Sequence, residues 1–242
     1  MKLIKLDAID STNEFLKGLS SNQILENFTV VTAESQTKGK GQMGSVWDSE
    51  PSKNLIMSVL IKDFTININL IFDVNIAVSI SIIQVLDGLN IPELSIKWPN
   101  DIMSYNKKIG GILIENSIKS DGSINSIAGL GLNINQMNFD NLPKASSLAL
   151  ICNTTFDKEE ILLKIVEKLE QNIQSWNQKS NSLWNKYTNK LFKIGIPMPF
   201  EDQNKQNFMG IIQGVSPIGK LKILLENDSV SEFDIKEIQM LY

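Results

Sequence analysis

Two β-patterned segments, residues 108–118 and 124–134, carry glycines where a strand ordinarily carries packing side chains: Gly110 and Gly111 in the first, Gly129 and Gly131 in the second. Glycine weakens a strand, because it loses the most backbone entropy and packs nothing. It is found inside one where a ligand or another backbone approaches closely. Asp121-Gly122 between the segments is a hairpin signal, so the two bare stretches fall side by side. Neighbouring strands with glycines at matching places predict the floor of a cleft.

Periodicity supplies the elements around that floor. Residues 3–6 are a candidate first strand. Ser11 with Glu14 makes a capping-box pattern before Phe15, Leu16 and Leu19, which predicts a helix start. Residues 28–34 and 54–61 read as strands. Residues 70–89 are apolar over a length that fits a buried helix, ended by Gly88 and Pro92. Residues 94–98 read as strand and Tyr105-Asn106-Lys107 as a turn. Asp157 is a candidate N-cap for a helix with the stripe Ile161, Leu162, Ile165, Val166, Leu169, Ile173 and Trp176. A second helical piece spans 183–191, after the polar run 178–182. Strands joined by tight turns and covered by helices predict an α+β domain with a mainly antiparallel sheet. After Lys193 short strands alternate with turns, at 198–200, 208–215, 220–225, 230–233 and 238–241, a pattern that fits a small β-barrel. The boundary falls near residue 190, giving domains 1–190 and 191–242.

Between the second and third strands runs Thr37-Lys38-Gly39-Lys40-Gly41-Gln42-Met43-Gly44-Ser45-Val46-Trp47. Gly39, Gly41 and Gly44 have the spacing of the dinucleotide fingerprint, which requires a helix to open inside it. Asp48, Ser49, Glu50, Pro51 and Ser52 follow instead and read as loop, so that fold is rejected. Two readings stay open: a bare, lysine-flanked backbone that approaches an anion, or a surface loop. A second stretch, Lys97-Trp98-Pro99-Asn100-Asp101, leads through a turn to Lys108-Ile109-Gly110-Gly111. If the arms of that turn pair, the amines of Lys97 and Lys108 face one site; the alternative is a solvated strand face. Pro99 points to an edge position or a bulge beside a site. Asp101 is a candidate carboxylate for Mg²⁺ that arrives with a nucleotide, or a backbone acceptor in the turn.

Composition excludes whole classes of chemistry. The 242 residues include no histidine, which removes the commonest general base and metal ligand. All 23 basic residues are lysines. A phosphate or carboxylate is therefore held by ammonium groups, backbone N–H groups or amide side chains, never by a guanidinium fork. The one cysteine, Cys152, forbids an internal disulfide, in agreement with the cytoplasm, and reads as a small apolar residue rather than a nucleophile. The net charge of −4 gives no bulk attraction for nucleic acid or an anionic membrane. No apolar run has membrane-spanning length, and the N-terminus lacks a signal-peptide core. Catalysis by positioning and electrostatics remains, the style of nucleotidyl and phosphoryl transfer.

In order along the chain, Asp10-Ser11-Thr12-Asn13, Gly39-Lys40-Gly41-Gln42-Met43-Gly44 with Trp47, Lys97-Trp98-Pro99-Asn100-Asp101, Lys108-Ile109-Gly110-Gly111-Ile112-Leu113 and Gly129-Leu130-Gly131-Leu132-Asn133 resemble the motifs of the biotin–protein ligases. Each is weak singly; five in order are specific. The resemblance covers most of residues 3–190, and the tail, with Gly210, Gly214-Val215 and Gly219-Lys220-Leu221, is similar to that family's small C-terminal β-barrel. It implies a class II synthetase-like ligase core with an SH3-like β-barrel. It also implies a two-step reaction in which biotin and ATP give biotinyl-5′-AMP and pyrophosphate, after which a lysine of a biotin carboxyl carrier domain takes the biotin.

By position, the resemblance implies Ser11, Thr12, Gln36, Gly39, Lys40, Gln42, Gly111 and Gly129 at biotin. It implies Lys40, Gly41, Met43, Gly44, Ser45, Trp47, Asn100, Lys108 and Asn133 at the nucleotide, and Lys108, Lys97 and Asp101 as catalytic. Mg²⁺ comes with ATP and is not held by the protein alone. Gln42, Met43 and Ser45 stand where the family's loop is often rich in arginine. The repressor-type members carry an N-terminal DNA-binding domain; this chain begins at the catalytic segment. The expectation is a cytoplasmic ligase, monomer or homodimer, acting on the carrier domain of a biotin-dependent carboxylase, with no nucleic-acid or membrane partner. A lipoate–protein ligase shares the resembled fold and chemistry and is the nearest alternative. A non-catalytic module that binds biotin or a nucleotide is the alternative from another class.

Few large apolar residues anchor residues 37–45, so this loop is expected to be mobile without ligand and to order on binding. Hydrogen exchange with and without biotin and ATP checks it; equal protection of the segment in both states would refute it.

Overall fold

In the computed structural model, which describes residues 2–64, 70–118 and 123–242, the β-patterned runs assemble into one seven-stranded sheet. The chain runs β1 (Leu3–Ile9), α1 (Thr12–Asn22), β2 (Val30–Gln36), β3 (Leu55–Lys62), α2 (Phe72–Gly88), β4 (Leu94–Lys97), β5 (Asp101–Ser104), β6 (Lys107–Ile118) and β7 (Ile124–Leu132). Helices α3 (Leu148–Cys152), α4 (Lys158–Gln174) and α5 (Trp176–Asn189) follow. The sheet order is β1-β2-β3-β7-β6-β5-β4, with β1 and β2 parallel and every other neighbouring pair antiparallel. The α+β architecture with a mainly antiparallel sheet is thus as expected. The Asp121-Gly122 turn lies outside the described residues, but β6 and β7 pair from Gly110↔Leu132 to Ile118↔Ile124.

Alternation along the strands sorts side chains to two faces. Leu55, Met57, Val59 and Ile61 of β3 join Ala128, Leu130 and Leu132 of β7 in the main core, where α2 and α4 pack. Val31, Leu60 and Ile127 point to the other face and close around Leu16 of α1. Helix α2 is apolar almost all round because the sheet covers one side and α4 and α5 the other. Its few polar groups are matched: Asn172 of α4 donates to Ser81 Oγ at 2.8 Å and Gln84 Oε1 at 2.9 Å. Trp184 Nε1 of α5 donates to Asp73 at 2.9 Å. Burial still pushes the Asp73 carboxyl above the usual carboxylate range, with that bond opposing.

Two expectations need correction. Helix α5 begins at Trp176, not at 183. The polar run 178–182 is helical because Trp176, Leu183 and Tyr187 bury a single stripe on it, and Ser175 alone bends the chain away from α4. The C-terminal segment is not a closed barrel. Strands β8 (Pro197–Asp202), β9 (Asn207–Val215), β10 (Leu221–Leu225), β11 (Val230–Phe233) and β12 (Ile238–Met240) form an open sheet in the order β11-β10-β9-β8-β12. Its edge strands are short, and its apolar face needs no closure. Phe200, Ile212, Leu221 and Ile223 pack into the same core as Phe72, Tyr187 and Leu191 of the larger body. Residues 190–192 also line the β4 edge, with Ile96 N donating to Lys190 O at 2.7 Å and Phe192 N to Ile96 O at 2.8 Å.

Asp157 caps α4 by accepting from Glu159 N at 2.8 Å and Glu160 N at 3.2 Å. Asp157→Ala leaves both donors without that partner and should lower the unfolding free energy by about 1 kcal/mol. Urea denaturation reads this as a lower midpoint with unchanged slope.

Candidate active site

A cavity of about 510 Å³ opens on the face of the large sheet where β6 and β7 lack side chains. Gly111 pairs with Gly131, and Gly129 lies opposite Leu113 and Ser58. Their bareness is used at once: a Cβ on Gly129 would overlap Asn13 Oδ1, and one on Gly131 would overlap the Trp47 ring. A Cβ on Gly111 would lie 3.3 Å from Trp47 and 3.4 Å from Lys108 Nζ. The close approach predicted for these glycines is made by Asn13 and Trp47.

One corner of the cavity is polar and uncharged. Ser11 caps α1, and Ser11, Thr12 and Asn13 are all buried. Gln36 Oε1 accepts from Thr12 N at 2.7 Å and Thr12 Oγ1 at 3.1 Å. Ser58 Oγ lies 2.7 Å from Thr12 Oγ1 and 2.6 Å from Asn13 Oδ1. Asn13 Nδ2 donates to Glu115 Oε2 at 2.9 Å and, more weakly, to Leu113 O at 3.3 Å. Such a fixed set of hydroxyl and amide groups suits a neutral ligand head that both donates and accepts.

The 37–47 loop forms the outer side. Trp47 N donates to Gly39 O at 2.9 Å and Gly41 N to Ser45 O at 2.7 Å, making a small hairpin tipped by a 3₁₀ turn, Gln42–Gly44. Its lysines are tied back to the start of α1. Lys38 lies 2.8 Å from Asp10, and Lys40 2.7 Å from Glu14. Lys38, helped by Thr37, holds the Asp10 carboxyl below the usual range. Lys40 does the same to Glu14 and is itself held up by that carboxylate. These pairs are exposed and screened, so they hold the loop loosely. From the C-terminal sheet, Lys236 Nζ reaches Met43 O at 3.2 Å. Trp47 Nε1 is buried without a hydrogen-bond partner, against the backbone of Gly131.

The opposite corner is cationic. The strands carrying Lys97 and Lys108 do not pair, because β5 lies between β4 and β6; Lys97 and Asp101 face each other across the β4–β5 turn. Lys108 reaches the same carboxylate through a bulge: the β5–β6 register shifts between Ile102 and Met103. Without it Lys108 and Gly111, an odd number of residues apart, would point to opposite faces. With it the Lys108 amine lies over the glycine floor, 2.6 Å from Asp101 Oδ1 and 5.6 Å from the centre of the Trp47 ring. Lys97 Nζ is 3.9 Å from Asp101 Oδ2. Burial pushes the Lys97 amine below the usual lysine range; Asp101 opposes this, while Lys108 and Lys144 add to it. Asn100 is clamped to β6, donating from Nδ2 to Ile112 O at 2.8 Å.

Ser11, Thr12, Gln36, Lys40, Gly41, Gln42, Met43, Ser45, Trp47, Lys97, Asn100, Asp101, Lys108, Gly111 and Gly129 all line this one cavity. Gly39 lies behind it, under the Trp47 backbone, and Gly44 sits at the loop tip, outside the lining. Asn133 is buried elsewhere, donating to Ser146 O at 3.1 Å. Asn13 stood in a motif without a role of its own, and Ser58, Lys236 and Tyr242 escaped the sequence reading. Ser58 left a signal, as a polar residue inside the apolar run 55–61 of β3. Among the described residues no group of three or more His, Cys, Asp or Glu side chains could hold a metal. Together the corners can hold a small acid by its neutral end and present its carboxylate, across bare backbone, to a polyphosphate.

A profile of the Biotin/lipoate A/B protein ligase family matches residues 6–133. The bifunctional ligase/repressor BirA of Bacillus spizizenii is 29% identical over 179 residues, 72% of this chain and 54% of that protein. The match thus spans about half of that relative's length. The biotin--[acetyl-CoA-carboxylase] ligase of Mycobacterium tuberculosis is 26% identical over 214 residues, 87% of this chain and 79% of that protein. Among solved structures, the biotin protein ligase from Aquifex aeolicus in complex with biotin and ATP superposes with a TM-score of 0.81 at 27% identity, covering 99% of this chain and 98% of that one.

The floor makes a paired prediction. Gly129→Ala should displace Asn13 and cost roughly 1–3 kcal/mol of stability, the range for overpacking. Gly18→Ala, in α1 with open space around it, should stabilise by up to ~1 kcal/mol. Denaturant midpoints of the two variants check this; similar shifts in both would contradict the close approach.

Proposed function

The chain belongs to the Biotin/lipoate A/B protein ligase family, and from that footing we propose that it activates biotin with ATP and transfers it to a lysine of a biotin carboxyl carrier domain. The observation that carries the reading is the meeting, over one glycine floor, of a neutral polar corner and a lysine corner. The whole-chain likeness to a ligase solved with biotin and ATP supports it, and the biotin ligases among the relatives favour biotin over lipoate.

In the first step a biotin carboxylate oxygen attacks the α-phosphorus of ATP. The bond to the bridging oxygen breaks and pyrophosphate leaves. Ser11, Thr12 and Gln36 hold the neutral ring end, in the cavity that Gly111 and Gly129 also line. The Lys108 ammonium, oriented by Asp101, stabilises charge on the reacting oxygens, with Lys97 and Lys40 beside the phosphates. In the second step the neutral amine of the carrier lysine attacks the acyl carbon. An amide forms, AMP leaves and one proton goes to solvent. Mg²⁺ would enter with ATP as the MgATP substrate, and Asp101, held by Lys108 at 2.6 Å, is the cavity-lining carboxylate that could meet it. Residues 1–190 carry the chemistry and 191–242 form the outer wall. The cytoplasm supplies ATP and the carrier.

Incubation with biotin, ATP, Mg²⁺ and a carrier domain, read by intact mass, tests the reading. The carrier should gain one biotinyl group. Labelling by lipoate alone would install the lipoate alternative, and no labelling by either acid the binding module. Lys108→Ala should fold normally and lose roughly 10²–10³-fold in pyrophosphate release, as when one preorganised oxyanion donor is removed. A loss within about threefold, ~0.65 kcal/mol, would return Lys108 to a solvated strand face.

A further inference from the structure

Glu115 stands on β6 behind the polar corner, outside the cavity lining. Leu113 and Glu115, two residues apart, share a face of the sheet. In the ladder, Leu113, Gly129 and Ser58 form one row across β6, β7 and β3. Asn13 lies across that row, over the bare Gly129. At one end its Nδ2 donates to Glu115 Oε2 at 2.9 Å and to Leu113 O at 3.3 Å. At the other its Oδ1 meets Ser58 Oγ at 2.6 Å. Lys17 takes the second carboxylate oxygen, Glu115 Oε1, at 3.5 Å.

The partners fix where each hydrogen in this row points. A carboxylate and a carbonyl only accept, so Asn13 turns its NH₂ to Glu115 and Leu113 and its oxygen to Ser58. An amide oxygen also only accepts, so the single hydroxyl hydrogen of Ser58 goes to Asn13. Ser58 Oγ then faces Thr12 Oγ1, 2.7 Å away, with lone pairs alone. The one hydroxyl hydrogen of Thr12 is taken by the protein, at Ser58 or at Gln36 Oε1, 3.1 Å away. The Thr12 hydroxyl therefore offers the cavity an acceptor. With Asn13 reversed the whole row reverses: Ser58 receives from the NH₂ group, donates to Thr12 and occupies that acceptor.

We infer that Glu115 is a positioning residue for the ligand. Its carboxylate, acting through Asn13 and Ser58, sets Thr12 as an acceptor and so matches the polar corner to a head group that offers N–H donors, as the cyclic urea of biotin does. This deepens the ligase reading above and rests on it. Without Glu115 the Asn13 NH₂ keeps only the longer bond to Leu113 O, and the direction of the row is no longer imposed.

The experiment is calorimetric titration of the full chain with biotin, beside pyrophosphate release at varied MgATP. Glu115→Met, of similar length but without an acceptor, should raise the biotin Kd roughly 3–10-fold, the size of one net hydrogen bond, and leave the KM for ATP unchanged. Glu115→Gln, which keeps an oxygen for Asn13, should bind biotin as the wild type does. Ser58→Ala cuts the row between Asn13 and Thr12. In that background Glu115→Met should add no further loss, a coupling that a merely structural role would not show. Wild-type biotin affinity in Glu115→Met, an equal loss in Glu115→Gln, or additive losses in the double variant each overturn the role. If Glu115→Met does not fold, the wild type carries the test: the Asn13 side-chain NH₂, held by Glu115, should exchange its hydrogens slowly without ligand. Exchange as fast as that of exposed side-chain amides overturns the role. Wild-type protein that does not bind biotin overturns the ligase reading and this inference together; biotin binding by the wild type confines any failure to Glu115.

Discussion

The lack of a Cβ at Gly111, Gly129 and Gly131 lets side chains from outside the large sheet reach its backbone. Each glycine costs a strand roughly 0.5–1 kcal/mol relative to alanine. The sheet tolerates this because β6 and β7 are interior strands, paired along both edges. Asn13 descends onto Gly129, and so brings the start of α1 into the cavity; Trp47 descends onto Gly131 and so fixes where the glycine loop turns back. Remove the bare patch, and the polar corner and the loop lose the surface on which both rest.

A second constraint is a matter of parity. The register shift between Ile102 and Met103 puts Lys108 on the face of Gly111 while Ile109 stays in the core. One irregular step in a ladder thereby makes a surface residue into the partner of Asp101. The sequence places a lysine two residues before a glycine pair, but not the bulge, because a bulge is decided by how two strands pair.

What local chemistry dictates was legible. Ser11 with Glu14, and Asp157 before a regular apolar stripe, name their caps because a cap is satisfied within one turn. The apolar length of α2 declared a buried helix, and the glycines of β6 and β7 declared close approach. What depends on distant partners was hidden. Helix α5 is polar along much of its length and is helical for the sake of three buried residues, Trp176, Leu183 and Tyr187. The open C-terminal sheet needs no barrel because the larger body covers its apolar face. The bond from Asn133 to Ser146 O and the two lysine amines over the Tyr242 ring join residues far apart in the chain, which no local pattern announces.

The absence of arginine has one further consequence. A guanidinium keeps its charge at any pH a protein survives, whereas an ammonium is a proton on loan from the solvent. Since all 23 basic residues are lysines, no side chain in this protein is permanently cationic. The ionic part of the attraction that the cavity offers an anion is itself a bound ligand, the proton, and alkali or an amine-acylating reagent strips that part away while leaving every carbon of the site in place.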